Sequence, residues 1–76
     1  MNQEELQAFL SEKLPDCSIR VSSPDGYHFE AEVVGERFEG MNRVKRQQTV
    51  YAVVSHLLAD NTVHALSLKV RTPGEL

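Results

Sequence analysis

Seventy-six residues, 41% hydrophobic and 25% charged, make one globular domain near the lower size limit for independent folding. A core this small leaves little interior for a buried active site, so a binding module is favoured over an enzyme, and a net charge of −3 weighs against non-specific nucleic-acid binding. The single cysteine, Cys17, excludes an internal disulfide, and no uninterrupted apolar run approaches the roughly 20 residues of a membrane span.

The N-terminal stretch MNQEELQAFL carries acids where a secretory signal carries lysine or arginine. Together with one cysteine, this predicts a soluble, cytoplasmic protein without membrane association. Charge is unevenly spread. Residues 1–36 hold eight acids and two bases, whereas residues 37–76 hold six bases and three acids. Half of all basic residues (Arg37, Arg43, Lys45 and Arg46) fall between positions 37 and 46, a patch suited to phosphate or to an acidic partner surface.

Residues 2–13 are predicted to be helical. Leu6, Phe9, Leu10 and Leu14 recur at helical spacing, Glu4 and Glu5 suit the positive end of the helix dipole, and Pro15 stops the helix. The stretch CSIRVSS alternates, with Cys17, Ile19 and Val21 on one face and Ser18, Arg20 and Ser22 on the other, as a half-buried strand does. SPDG (Ser23 to Gly26) is a turn signal, since Pro24 pre-sets one central dihedral and Asp25 tolerates the next. YHFEAEVVGE follows as a second strand with Tyr27, Phe29, Ala31 and Val33 inward, giving an antiparallel hairpin.

Gly35 and Gly40 bracket a loop, and Asn42 is suited to cap a helix that runs to about Ala59. Val44, Val50, Tyr51, Val53, Val54, Leu57 and Leu58 form its apolar stripe, as one helix or as two short ones broken near Gln47. DNT (Asp60 to Thr62) is a turn cluster. In the closing stretch NTVHALSLKVRTP, Leu66, Leu68 and Val70 alternate with Ser67, Lys69 and Arg71 as a last strand, ended by Pro73. The predicted architecture is α+β: a small mixed sheet of three strands, covered on one face by helices.

His64 stands at the head of the last strand. Its parity with Leu66 and Leu68 makes it a packing histidine on the inward face; its place at a strand end makes it a ligand or proton switch on a rigid support. His28, just past the hairpin turn, shares parity with Glu30 and Glu32 and reads as an exposed residue or a second ligand. His56 sits at a polar position of the long helix and reads as surface. Cys17 reads as a buried, inert thiol. These four residues are enough for a tetrahedral zinc site, yet none has metal-site spacing such as CxxC or HxxxH. Catalytic signatures are missing: there is no GxSxG, GxxxxGK[ST] or HExxH. RVKRQQTV (Arg43 to Val50) reads as a solvated helix face or as a helix start that touches phosphate through Arg43, Lys45 and Arg46.

The segment FEGMNRVKRQQTVYAVVSHLLADNTVHALSLKVRTP (Phe38 to Pro73) resembles the BolA family in its F-x-G before the helix, its RVKRQQTVY stretch, and above all its VHAL followed by a strand and Thr-Pro. The KRQQ version is similar to the shorter bacterial branch of that family. The resemblance implies an αββααβ fold similar to the class II KH domain. The GxxG loop with which KH domains clamp nucleic acid is not between the helical segments, which argues against RNA binding of that kind. It further implies a monothiol glutaredoxin as partner, and a [2Fe–2S] cluster shared with that partner rather than held by the chain alone. The family ligands would be His64, the histidine of HAL, and His28 from the hairpin region. Lys69 and Arg71, on the strand of His64, are then expected at the partner surface. A chain with one cysteine cannot supply the usual four ligands by itself, and imidazole can replace thiolate on one iron. The alternative role is DNA-binding regulation through the helix start Arg43–Arg46.

Overall fold

The first helix starts at a reciprocal cap. Asn2 Oδ1 accepts the Glu5 N–H at 2.8 Å while Glu5 Oε1 accepts the Asn2 N–H at 3.1 Å, so two donors that no helical carbonyl can reach are satisfied. Helix α1 then runs over Gln3–Lys13, and Leu6, Leu10 and the following Leu14 are buried from it. The computed structural model describes residues 1–63 and 65–75.

Strands β1 (Ser18–Ser22) and β2 (His28–Val34) form the expected antiparallel hairpin, with Arg20 beside Glu32 and Val21 beside Ala31. Strand β3 (Ala65–Arg71) lies parallel to β2, with Phe29 beside Leu66 and Val33 beside Val70, so the sheet order is β1-β2-β3. Parallel neighbours need a crossover. Helix α2 (Arg43–Ala59) provides it, capped where Asn42 Oδ1 accepts the Lys45 N–H at 2.8 Å.

Both helices pack on one face of the sheet. Leu6 and Leu10 from α1, and Val54 and Leu57 from α2, meet Val21, Phe29 and Ala31 in one cluster; Leu14, Val33, Phe38, Val50 and Val70 form the adjoining one. The opposite face stays open and polar. Arg20, Glu32 and Lys69 stand in one row across it, alternating in charge.

Of the two readings of the long helix the unbroken one holds, since α2 is continuous through Gln47. Three expectations are corrected. The remaining helical element of the αββααβ order is a 3-10 turn, Glu36–Phe38, inside what reads in the sequence as a loop. That turn drives Phe38 into full burial. Tyr27 is 68% exposed, because β2 starts only at His28 and the alternation does not reach back into the turn. Val44 is 64% exposed; at about 100° per residue it lies roughly a third of a turn from the buried line of Val50, Val54 and Leu57.

The helices also finish the sheet edges. In a parallel pair alternate residues turn both backbone groups outward, and in β3 these are Leu66, Leu68 and Val70. Tyr51 Oη donates to the Leu66 carbonyl at 2.8 Å and Gln47 Nε2 to the Leu68 carbonyl at 2.9 Å. Four residues of helix rise about 6 Å and two of strand about 6.6 Å, so the two donors keep register with the two acceptors. On the other edge, Gln7 Oε1 of α1 accepts the Val21 N–H of β1 at 3.1 Å.

Candidate functional site

The hairpin turn presents an oriented imidazole. Asp25 Oδ1 accepts the backbone N–H of Tyr27 at 2.9 Å and of His28 at 2.8 Å, while Asp25 Oδ2 lies 2.6 Å from His28 Nδ1. The His28 backbone N–H and ring, then the Tyr27 N–H, hold the Asp25 carboxyl well below the usual carboxylate range. An ionised carboxylate only accepts. Nδ1 must therefore carry a proton, and in the neutral ring Nε2 keeps the free lone pair. That side chain is 69% exposed, and no described residue bonds its Nε2. A carboxylate behind a histidine, fixing its tautomer and ring orientation, is the usual outer support of a metal-binding imidazole.

His64, the first ligand expected from the sequence, lies outside the described residues. Its successor does not: Ala65 is the register partner of His28. Chain position 65 and the oriented imidazole thus sit side by side on neighbouring parallel strands.

Cys17 is elsewhere. It precedes Ser18, which pairs with Val34 at the far end of β2, roughly 20 Å of strand from His28. Burial, and then the Asp16 carboxylate, push its thiol up, so thiolate character is suppressed. His56 is on the exposed side of α2, its ring centroid 5.7 Å from that of Phe9. The structure does not bring Cys17 to His28. Among the described residues no group of three or more His, Cys, Asp or Glu side chains could hold a metal ion.

Among the described residues, the basic residues from Arg37 to Arg71 divide into those with an ion pair to a carboxylate, Arg37 and Arg46, and the others. Asp16 engages Arg37, accepting from its Nε at 2.9 Å. Arg46 is enclosed: its Nε donates to the Met41 carbonyl at 3.0 Å, and its Nη1 and Nη2 form a fork on Glu75, at 2.6 and 3.1 Å. Arg43 and Lys45 are exposed at the start of α2, and Lys69 and Arg71 are exposed on β3. Arg43, Arg46, Lys69 and Arg71 line one groove of about 630 Å³ between α2 and the end of β3. Two groups of residues that the sequence offers for different tasks thus share one surface, distant from His28 along the strands.

Residues 11–75 match the family model for BolA-like proteins. The chain is 47% identical over 75 residues to the acid stress protein IbaG of Escherichia coli K12, covering 99% of this chain and 88% of that one. The chain belongs to the BolA family. Among solved structures, a BolA homologue from Coxiella burnetii superposes with a TM-score of 0.83 at 31% identity, covering 99% of this chain and 95% of that one. The BolA domain of SufE1 from Arabidopsis thaliana gives 0.81 at 25% identity over 97% of this chain and 94% of that one.

The BolA match confirms the family resemblance carried by the α2 and β3 segments, and the α+β fold with a three-stranded mixed sheet. Two residues of this BolA surface escape a reading by strand parity. Asp25 reads as a turn former, although an acid three residues before a histidine is the signal that could have found it. Glu75 lies beyond the last strand, and nothing local marks it as the partner of Arg46, 29 positions away. No helix among the described residues is long and apolar enough to cross a membrane.

Proposed function

We propose that this protein is a non-enzymatic BolA adaptor that docks on a cluster-loaded monothiol glutaredoxin and takes a share in its [2Fe–2S] cluster, in cluster trafficking or iron and stress sensing. The observation that carries this reading is the Asp25–His28 pair, whose Nε2 faces outward beside the residue that follows His64.

The donor chemistry fits. Iron–sulfur clusters take mostly thiolates, and the sole cysteine of this chain sits at the opposite end of the sheet, with its thiol protonation favoured. Thiolates must then come from a second molecule, while this chain offers imidazoles from His64 and His28. Imidazole ligands compete with protons, so such sharing is reversible and weakens in acid. Similarity to the acid stress protein IbaG supports a stress-linked role. The match to the BolA domain of SufE1 supports a module that works joined to other protein surfaces.

Visible absorption and circular dichroism of cluster-loaded glutaredoxin, recorded with and without this protein, test the reading. The spectrum shifts on addition of the wild type, and the shift is lost with His64→Ala and altered with His28→Ala. An unchanged spectrum with the wild type overturns it.

A further inference from the structure

The groove between the start of α2 and the end of β3 is charged in a way that the cluster reading does not use. Arg43, Arg46, Lys69 and Arg71 are among its lining residues together with one carboxylate, Glu75, and Arg46 engages that carboxylate directly. Arg43, Lys69 and Arg71 have no side-chain bond to any described residue, whereas Arg46 is held rigidly. Its guanidinium is anchored behind by the Met41 carbonyl and presents its fork to Glu75. Planar two-point recognition of a carboxylate is what an arginine in this geometry does best.

Glu75 is a local and replaceable occupant. It sits in a one-turn 3-10 segment, Pro73–Glu75, tied down by the Thr72 N–H to Glu75 Oε1 at 2.8 Å and by the Arg46 fork. Its side chain is 46% exposed against 15% for Arg46, so the carboxylate can leave toward water while the cation stays.

We propose that this groove docks an acidic peptide segment of a partner protein, and that Glu75 holds the carboxylate position of that segment in the unbound state. Met41, Leu68 and Val70 are also among the lining residues, which suits a peptide that mixes acidic and apolar residues. A phosphate backbone would leave that apolar surface unused, and the net charge of −3 repels a polyanion as long as DNA. Charge complementarity and the chain's own carboxylate therefore select a peptide. The inference stands independently of cluster sharing, since the groove lies at the opposite end of β3 from Ala65.

A fluorescein-labelled peptide of alternating glutamate and leucine is the probe, followed by fluorescence polarisation at low salt and by amide NMR shifts. Glu75→Gln vacates the fork and tightens peptide binding about three- to fivefold, the effect of removing one competing exposed ion pair. Glu12→Gln, on the exposed face of α1, makes the same change in net charge and leaves the affinity unaltered. Lys69→Glu with Arg71→Glu abolishes binding, and the wild-type shifts concentrate at Met41, Arg43 and Arg46. No binding to either wild type or Glu75→Gln overturns the docking site. Equal affinities of wild type and Glu75→Gln, or equal tightening by Glu12→Gln, overturn the role of Glu75. Displacement of the peptide by a short DNA duplex at equal charge concentration overturns the choice of a peptide.

Discussion

His28 Nδ1 lies 2.6 Å from Asp25 Oδ2, and the same carboxylate accepts the backbone N–H groups that close the hairpin turn. One side chain thereby shapes the turn and sets the tautomer of the histidine that follows it. The imidazole comes out of the turn already oriented, with Nε2 as its open acceptor.

Asp25→Asn tests that coupling with little change of shape. The Asn oxygen can still accept the two turn N–H groups, but its NH₂ then faces Nδ1 and forces the proton to Nε2. Nitrogen NMR of the neutral His28 ring reads the tautomer directly: Nε2 unprotonated in the wild type, protonated in the variant. A cluster or metal bound through Nε2 is expected to weaken by roughly 10- to 100-fold. An unchanged tautomer contradicts the assignment.

Gln47 and Leu68 carry a prediction about the sheet edge. Gln47→Ala leaves the outward Leu68 carbonyl without its side-chain donor and costs about 1 kcal/mol in urea unfolding, as does Tyr51→Phe at the Leu66 carbonyl. An uncovered edge strand also invites pairing between chains, so Gln47→Ala raises the sedimentation coefficient at high concentration. Unfolding midpoints identical to wild type for both variants contradict the edge-capping account.

Glu75 provides a pH prediction. The Arg46 fork, and then the Thr72 N–H, lower its carboxyl from 4.5 to about 2. The folded value is the depressed one, so the latch contributes fully above the ordinary carboxylate range and is lost as pH falls through about 2. Carboxyl-carbon NMR of Glu75 should titrate near that value, and Arg46→Gln should return it toward 4.5. An ordinary midpoint in the wild type would show that the fork is not maintained in solution.

Gly35 and Cys17 test the assignment of the cysteine to packing. Gly35 is buried, and a Cβ there would stand 2.5 Å from Cys17 Sγ. Gly35→Ala is expected to cost about 1–3 kcal/mol in urea unfolding. Cys17→Ala in the same chain should recover part of it, because the nearest neighbours would then be the Cβ of residue 17 and Phe38 Cε2, both at 3.5 Å. Strictly additive effects of the two substitutions would contradict direct contact.

Much of the frame was legible in the sequence because periodicity reports burial directly. Leu6 and Leu10, Val21, Phe29 and Ala31, and Val50 and Val54 are core residues, and each follows its helical or alternating pattern. The site was less legible because its links are polar and span the chain. Gln47 looks like a weak point in an apolar stripe until Leu68 is placed 2.9 Å from it. Arg46 looks like a phosphate contact until Glu75 occupies its fork. Parity failed at Tyr27 for a local reason: the strand begins one residue later, and the turn is governed by Asp25 rather than by pleating.

The central claim is that this chain shares a partner's cluster through His28, at the head of β2, and His64. The most direct measurement is a titration of cluster-loaded monothiol glutaredoxin with wild type, His28→Ala and His64→Ala, followed by visible circular dichroism and iron content of the isolated complex. The account predicts a new spectrum with wild type, an altered one with His28→Ala, and none with His64→Ala while the two proteins still associate. A wild-type complex without iron, or a wild-type spectrum that His64→Ala reproduces, would contradict it.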